Sequence, residues 1–288
     1  MPRWVPADPI ISPHSPGRSR PRRAEDAGMS EVPQRWPGLL ATALRARLRL
    51  ALGRRPRFCG VYPDRAAALA AVPPRAAAGY DVDGIAQVSR TAMTRLSDWD
   101  RPVADHLQRM LAAQGGLSVL DAGGHLATKY IAFATELDVA RTAWWIHDLP
   151  AILTAARAAQ EAGEIPAEVR FADTPAEAGA VDVLLCSGLL QYLDRPLADL
   201  VAQMAAPPPA IVLNKVATLE GDERVTLETI GPSRVPYRMR DRARFEAEIA
   251  AMGYAIADRW RLPGLQNRID THPWLPPCDS HGYVLERR

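Results

Sequence analysis

Acidic residues and a pair of glycines follow several short apolar runs of this sequence, and such residues can hold a nucleotide. The run "LSVL" leads to Asp121, Gly123 and Gly124, and the glycines permit a tight turn and a close approach of the backbone to a ligand. Asp148 follows the run "TAWWIH" at about the spacing of an acid that hydrogen-bonds ribose hydroxyls. Asp173 follows a third run and is placed to accept a hydrogen bond from an adenine amino group. These residues predict a nucleotide-type site.

The segment "CSGLLQYL" follows a fourth apolar run and adds further polar groups: Ser187, Gly188, Gln191 and Tyr192. All of these residues have a simpler alternative. The three acids could be helix N-caps or turn residues, and the glycine pair could serve only a strand-to-helix turn. Their occurrence at successive run ends, in the order that a ligand requires, favours one shared crevice.

The elements that must position these residues are predicted by a regular alternation. Five apolar runs are separated by segments compatible with helices, such as "PAILTAARAAQEAG": "LSVLDAG", "TAWWIHD", "EVRFAD", "VDVLLCSG" and "AIVLNKV". Continuous apolar runs joined by helical crossovers are typical of a parallel sheet buried on both faces. We therefore predict a doubly wound, Rossmann-like α/β fold, in which ligands bind at the carboxyl ends of the strands.

The segments on both sides of this alternation also predict elements that pack against the sheet or extend it. The helix "DRPVADHLQRMLAA" places its apolar residues on one face and is expected to lie against the sheet. Near the carboxyl end, "YAIADRW" and "HGYVLERR" predict two strands of a hairpin that add an antiparallel strand to the sheet. Residues 58–113 otherwise read as helices and loops.

Three regions are expected along the chain. Residues 1–37 are rich in Pro, Ser and Arg and are predicted to be a disordered tail, residues 38–114 to form a helical cap, and residues 115–288 to form the sheet domain. The cap begins with a basic amphipathic helix, whose stripe consists of Leu40, Leu44, Leu48 and Leu52. This helix could cover the main domain, form a loosely attached arm, or contact a membrane surface as part of residues 38–55.

Charge and cysteine content exclude several classes of function. Residues 1–57 carry 12 arginines and 4 acids, a net charge of about +8, so the rest of the chain is mildly acidic. This distribution disfavours a basic groove for nucleic acid in the main domain, and only the amino-terminal arm could supply one. The three cysteines are far apart and predict neither a disulfide framework nor a zinc or other metal site. Since no apolar run is long enough to cross a bilayer, a cytoplasmic location is expected.

The segments "VLDAGG", "WWIHDLP" and "DVLLCSGLLQYLDRP" resemble successive motifs of the class I S-adenosylmethionine-dependent methyltransferases. They are most similar to an uncharacterised bacterial family with LDFGG-like, VVExP-like and SGxLQYL-like segments. The likeness extends from Phe58 to the end of the chain, and "SGLLQYL" after a "DVLL" strand is its most specific part. It implies S-adenosylmethionine as the cofactor and residues 115–288 as the methyltransferase domain.

The resemblance also implies roles for the residues at the run ends. Asp121, Gly123 and Gly124 would approach the methionine part of the cofactor, Asp148 with Leu149 would hold the ribose, and Asp173 would flank the adenine. Ser187, Gly188, Gln191 and Tyr192 would line the floor between cofactor and acceptor. The chain departs from the family pattern at three positions: His125 and Ala127 stand where many members have glycine, and Lys215 stands where members tend to have arginine.

Methyl transfer from a sulfonium needs mainly an aligned donor and acceptor. For a hydroxyl acceptor, the candidate general bases are Tyr192, His125 and His281. An anionic acceptor could instead be recognised by Lys215 and Arg238. The predicted acceptor is an oxygen or nitrogen atom of a small molecule or of a glycan or lipid-linked substrate.

Two other functions are compatible with the sequence. A non-catalytic protein that binds the cofactor or docks a partner would tolerate the altered glycine loop. An NAD(P)-dependent oxidoreductase would share the sheet, but its G-x-G-x-x-G fingerprint is missing, because His125 and Thr128 occupy the later positions.

Overall fold

A computed structural model describes residues 36–53, 56–73, 77–78, 90–231 and 233–288. Most of the predicted tail, residues 1–35, lies outside this part of the chain. The helices are α1 (Trp36–Ala51), α2 (Arg65–Ala70), α3 (Arg90–Met93), α4 (Arg101–Gln114), α5 (Thr128–Phe133), α6 (Pro150–Glu161), α7 (Leu197–Ala202) and α8 (Arg242–Ala251). The strands are β1 (Phe58–Tyr62), β2 (Ala77–Ala78), β3 (Leu117–Ala122), β4 (Thr142–His147), β5 (Arg170–Phe171), β6 (Val183–Ser187), β7 (Ala210–Leu219), β8 (Arg224–Ile230), β9 (Ser233–Asp241), β10 (Tyr254–Arg261) and β11 (Asp279–Arg287).

The five predicted runs form a parallel sheet in the order β5, β4, β3, β6, β7. The strand order reverses beside β3, and a doubly wound sheet binds its ligand at this switch point. The sheet continues with β11, which runs antiparallel to β7, and β10 pairs with β11. The Rossmann-like α/β fold and the carboxyl-terminal hairpin are therefore confirmed.

Apolar side chains bury both faces of this sheet, which explains why its strands read as continuous apolar runs. Val119 of β3 belongs to a core shared with α4, α5 and α6, whereas Leu120 belongs to the core on the opposite face, which includes α7 and α8. The helix α4 buries Val103, Leu107 and Leu111 in the first of these cores, as predicted.

An antiparallel extension formed by β9, β8 and β1 leaves the main sheet at the carboxyl end of β7. Thr218 and Leu219 of β7 pair with β9, beyond the part of β7 that pairs with β6. The expectation of only helices and loops over residues 58–113 is wrong at Phe58–Tyr62, which is a strand of this extension. The extension thus rises beside the edge where the predicted ligand residues lie.

The helix α1 is present, but its leucine stripe does not cover the main domain. Its buried residues are Ala43 and Ala46, whereas Leu40, Leu44 and Leu48 are each more than half exposed. No helix in the described residues has the length and apolar character of a membrane span. Contact of residues 38–55 with a membrane surface stays a prediction.

Candidate functional site

The glycine loop after β3 is folded tightly over the side chain of Asp121. A Cβ atom on Gly124 would lie 2.8 Å from Asp121 Cγ, closer than real Cβ contacts allow. Gly123 has a positive φ of 75°, and its N–H donates a hydrogen bond to the carbonyl of His147, with an N···O distance of 2.8 Å. The crowding by the carboxylate requires glycine at position 124, and the left-handed backbone favours glycine at position 123.

Asp121 is a buried acid whose carboxylate is only partly satisfied. Its side chain is 1% exposed, and Oδ2 has no hydrogen-bond partner among the described residues. Burial raises the pKa of Asp121 to about 7, against the opposing effects of the positive charge of Lys129 and of the nearby Trp144 indole, whose N–H does not meet the geometry of a full hydrogen bond. A buried acceptor of this kind needs a donor or a cation to offset its loss of water.

Asp148 holds the far side of the same loop. Its Oδ2 accepts a hydrogen bond from the His125 N–H at 2.9 Å, and its Oδ1 accepts one from the Leu149 N–H at 2.7 Å. Burial raises the pKa of Asp148, and these two backbone hydrogen bonds oppose the rise. Its charge also contributes to raising the pKa of Asp121, as expected for acids at the ends of adjacent parallel strands. The two carboxylates therefore flank one loop.

The two departures from glycine in this loop both adopt the backbone conformation that glycine favours. His125 has a φ of 56° and Ala127 a φ of 55°, although both carry a Cβ. A non-glycine residue in the left-handed region costs about 1–2 kcal/mol. Both residues are buried, and the Asp148 carboxylate accepts the His125 N–H, so the surroundings hold the loop in this strained form.

Substitutions at Ala127 can test this strain. We expect Ala127→Gly to change the free energy of unfolding by less than about 1 kcal/mol, because relief of strain offsets the loss of a buried methyl group. Ala127→Val should cost about 2 kcal/mol or more, since a β-branched residue fits the left-handed region poorly. Urea denaturation measures both effects. Equal stability of the two variants would show that the left-handed turn does not persist in solution.

The end of β6 contributes a second group of polar atoms. The Gly188 N–H donates to the Asn214 carbonyl at 2.9 Å, and Gln191 Nε2 donates to the Gly188 carbonyl at 3.0 Å. Ser187 Oγ and Gln191 Oε1 are buried and have no hydrogen-bond partner among the described residues. These acceptors stand at the end of the strand that pairs with β3.

Tyr192 is directed toward the antiparallel extension. Its hydroxyl donates a hydrogen bond to Glu228 Oε2 at 2.7 Å, and its ring packs edge-on against Tyr237 with centroids 5.6 Å apart. Glu228 lies on β8 and is itself buried. The structure thus places the Tyr192 hydroxyl against β8, and this location does not favour a role as general base at the glycine loop.

A β-bulge in β7 directs two side chains back toward the switch point. Leu213 pairs with Tyr283 and Val216 with His281 of β11, so the two residues Asn214 and Lys215 lie opposite the single residue Gly282. Lys215 accordingly has a φ of 59°, which is rare for a residue with a side chain. Bulges of this type commonly re-aim side chains beside functional sites.

The carboxylate of Asp100, directly before α4, contacts both side chains that the bulge redirects, Asn214 and Lys215. It lies within 2.8 Å of Lys129 Nζ and 2.9 Å of Lys215 Nζ, and it accepts a hydrogen bond from Asn214 Nδ2 at 2.9 Å. These are the only two lysines in the sequence. Asp100 occupies the N-cap position of α4 but makes no side-chain capping bond. Its carboxylate joins α4, α5 and β7 into one buried network, which we call the Asp100 network.

The Asp100 network carries more positive than negative charge. The lysines lower the pKa of Asp100 against the effect of its burial. Burial and the neighbouring Lys129 charge lower the pKa of Lys215 to about 8, although Asp100 opposes the fall. Lys215 also lies beside Gly188, since a Cβ on that glycine would be 3.8 Å from Lys215 Cδ. A partly exposed ammonium therefore borders the polar end of β6.

Three other predicted residues lie apart from this group. Asp173 is exposed and pairs with Arg157 at 2.9 Å. His281 Nδ1 lies 2.8 Å from Thr218 Oγ1 within the buried pairing of β7 and β11, so its position does not favour a role as general base at the glycine loop. Arg238 pairs with Glu223 at 2.6 Å.

Arg238 also lines a cavity of about 250 Å³ between the extension and the end of β6. Gln191 and Arg65 line the same cavity. Since Gln191 also contacts Gly188, this cavity adjoins the polar end of β6. It is a candidate pocket for a second molecule beside the glycine loop.

The sequence analysis did not assign a role to Asp100, Lys129 or Asn214. The sequence did contain one signal for Lys129, since only two of the 35 basic residues are lysines. Their meeting at one carboxylate depends on the bulge in β7 and on the packing of α4, which no local pattern reveals.

Comparison with known proteins found no family model and no curated protein that matches this chain. Solved structures do match. The 1,6-didemethyltoxoflavin-N1-methyltransferase of Burkholderia thailandensis, solved with S-adenosylhomocysteine, has 20% identity and a TM-score of 0.42, with coverage of 66% of this chain and 79% of that one. The magnesium protoporphyrin IX methyltransferase of Synechocystis PCC 6803 has 17% identity and a TM-score of 0.41, with coverage of 65% and 83%.

The glycopeptide N-methyltransferase MtfA, solved with S-adenosylhomocysteine, has 14% identity and a TM-score of 0.44, with coverage of 67% of this chain and 92% of that one. Similarities at this level of identity and TM-score do not assign a function to the present chain. Its fold is defined by its own strand order.

Proposed function

We propose that this protein is an S-adenosylmethionine-dependent methyltransferase. The observation that carries the proposal is a set of buried oxygen atoms without partners among the described residues. They lie near the end of β3, at and just after the end of β6, and at the bulge of β7 beside it: Asp121 Oδ2, Ser187 Oγ, Gln191 Oε1 and Asn214 Oδ1. Because these oxygen atoms lack partners within the described protein, they suit a ligand with positively charged groups, here an ammonium and a sulfonium. The glycine loop beside them leaves room for the ligand backbone.

The other residues of the loop fit the same cofactor. Asp148 accepts two backbone N–H groups, and a carboxylate has further lone pairs with which ribose hydroxyls can bond. Gly123 and Gly124 would face the methionine part, and Leu149, which is partly exposed after β4, would contact the adenosine. Asp173 remains a candidate for the adenine amino group. The missing second and third glycines of the dinucleotide fingerprint disfavour NAD(P) as the ligand.

When bound, S-adenosylmethionine supplies an electrophilic methyl group on a positively charged sulfur. A general base such as His125 would take the proton that the acceptor atom releases as this methyl group is transferred to it. The residues at the ends of β3, β4 and β6 would hold the two reactants in line, and orientation of this kind contributes several kcal/mol, or roughly 7–11 in well-aligned systems. No covalent enzyme intermediate is required.

The acceptor that best fits the chain is a small molecule, or the head of a glycan or lipid-linked molecule, with an anionic group. Lys215 borders the end of β6 with a pKa lowered to about 8. The neighbouring cavity is lined by Arg65 and Arg238 but also by Asp64, Asp194 and Glu223, and Arg238 pairs with Glu223, so the Lys215 ammonium is the group that favours an anionic acceptor. Guanidinium and ammonium groups recognise carboxylates and phosphates. Methyl transfer would go to an oxygen or nitrogen atom. Of the candidate bases, His125 is the one within the glycine loop.

The experiment that tests this function is incubation of the protein with methyl-labelled S-adenosylmethionine and fractionated extract of its source cell. The proposal predicts label in one chromatographic fraction and production of S-adenosylhomocysteine. The Lys215→Met variant should bind the cofactor but transfer less label to an anionic acceptor. Cofactor binding without transfer to any fraction would favour the non-catalytic alternative.

A further inference from the structure

A second cavity, of about 310 Å³, lies beneath α1, beside β1 and the start of β9. None of the residues at the glycine loop or in the Asp100 network lines it. We propose that this cavity, here called the Arg234 cavity, binds a phosphate group and that Arg234 is its principal ligand. This inference is independent of the methyltransferase proposal, because it involves a different set of residues.

Arg234 is a buried cation without an acidic partner in the described part of the chain. Arg234 is 6% exposed, and no carboxylate of the described residues lies within 4.0 Å of its guanidinium. Nη1 donates to Cys59 Sγ at 3.1 Å, whereas Nε has no hydrogen-bond partner. An unpaired buried charge is costly, and because Arg234 also lines a cavity, its guanidinium points to an anion that binds there.

The neighbours of Arg234 do not neutralise it. Burial raises the pKa of the Cys59 thiol, so this group stays uncharged at neutral pH even though the arginine opposes the rise. Asp270 is close enough for its charge to affect Cys59, but its carboxylate accepts the Phe58 N–H at 3.3 Å and forms no ion pair with Arg234 among the described contacts.

The rest of the cavity suits an oxyanion. Arg47 of α1 contributes a second guanidinium, and Thr271 and His272 contribute polar atoms that lie 2.9 Å apart. Burial and the charge of Arg47 lower the pKa of His272, which indicates a positive potential. No acidic side chain is found among the described residues that line the cavity. The planar fork of a guanidinium matches the oxygens of phosphate.

Two sources could supply such a phosphate. One is a free phosphorylated small molecule that enters from solvent. The other is a lipid headgroup, since Arg47 lies on the same helix as the exposed Leu44 and Leu48, which could enter a lipid surface. Both sources use the same chemistry at Arg234 and can be separated experimentally.

The test is thermal unfolding with inorganic phosphate titrated at constant ionic strength. We expect a saturable rise in Tm for the wild-type protein and its loss in Arg234→Met. Arg240→Met is the matched control, because Arg240 lies on the same strand, is also 6% exposed and does not line the cavity. This control should retain the rise. Arg234→Lys, which keeps the charge without the fork, should need more phosphate to reach half of the rise.

Cosedimentation with phosphatidylcholine vesicles, with and without phosphatidic acid, separates the two sources. Binding that requires phosphatidic acid and is lost in Arg234→Met assigns the phosphate to a lipid headgroup. A saturable Tm rise without vesicle binding assigns it to a free phosphorylated molecule. Either result supports the Arg234 cavity as a phosphate site. The proposal is overturned if Arg234→Met and Arg234→Lys both retain the wild-type responses, or if the wild-type protein shows neither response.

Discussion

Asp100→Asn is expected to lower the free energy of unfolding by about 3–5 kcal/mol, the usual effect of removing one partner from a buried ion pair. Asp100 is 2% exposed and is within 2.9 Å of both lysine ammonium groups of the chain. Asparagine has a similar shape, so the substitution removes charge with little change in packing. Lys129 would then be buried, and Lys215 partly buried, without their carboxylate partner. Urea denaturation at pH 7 measures the loss.

Two further variants show whether the charge is responsible. Asp98→Asn removes a carboxylate two residues earlier that is 99% exposed and should change stability by no more than about 0.5 kcal/mol. Adding Lys129→Met and Lys215→Met to Asp100→Asn should recover most of the lost stability, because no unpaired ammonium remains. If Asp100→Asn costs no more than Asp98→Asn, the Asp100 network does not hold these elements together.

Asp121→Asn is expected to change stability and cofactor binding in opposite directions. The variant removes a buried charge, so the ligand-free protein should be more stable above pH 7, by roughly 1–4 kcal/mol. The same variant should bind S-adenosylmethionine about 10–100 times more weakly, because it loses a hydrogen bond or ion pair to a cationic ligand. Urea denaturation and calorimetric titration at pH 8 measure the two effects.

The pH dependence of the wild-type protein follows from the same group. The pKa of Asp121 is about 7 in the folded protein, against 3.8 for an ordinary aspartate, so the native state binds the extra proton between these values. Its contribution to stability is complete below about pH 4 and is lost as the pH rises to about 7. Asp121→Asn should lack this decline. If the variant destabilises the protein at pH 8, the carboxylate is already paired within the fold.

The sheet could be predicted from the sequence because its strands are continuous apolar runs joined by helical segments. The glycine loop could be predicted because only a few residue types permit a tight turn at a strand end. At Gly124, the crowding that requires glycine comes from Asp121, three residues earlier in the chain. Local chemistry of this kind is directly readable from a sequence.

The antiparallel extension was missed although part of its signal was present. The segment Arg224–Ile230 alternates polar and apolar residues, which is typical of a half-buried strand. Pro236 in β9 weakens the pattern of the following strand. The orientation of Tyr192 could not be predicted without the extension, because the partner of its hydroxyl, Glu228, lies on β8.

Asp100 shows a different limit of sequence reasoning. An aspartate directly before an Arg-Pro pair is typical of a helix start, and α4 does begin there. Its carboxylate, however, binds two lysines that are distant in sequence instead of capping the helix. Such a role depends on long-range packing and on the bulge at Lys215, which the apolar pattern of β7 conceals.

Calorimetric titration of S-adenosylmethionine into the wild-type protein and Asp148→Asn tests the central claim most directly, since the claim is that carboxylates at the ends of β3 and β4 hold one adenosyl sulfonium. Asp199→Asn, on the exposed face of α7, is the control. We expect one site per chain, binding at least about 10-fold weaker in Asp148→Asn, and unchanged binding in the control. Absence of binding to the wild-type protein, or equal affinity in all three proteins, would contradict the account.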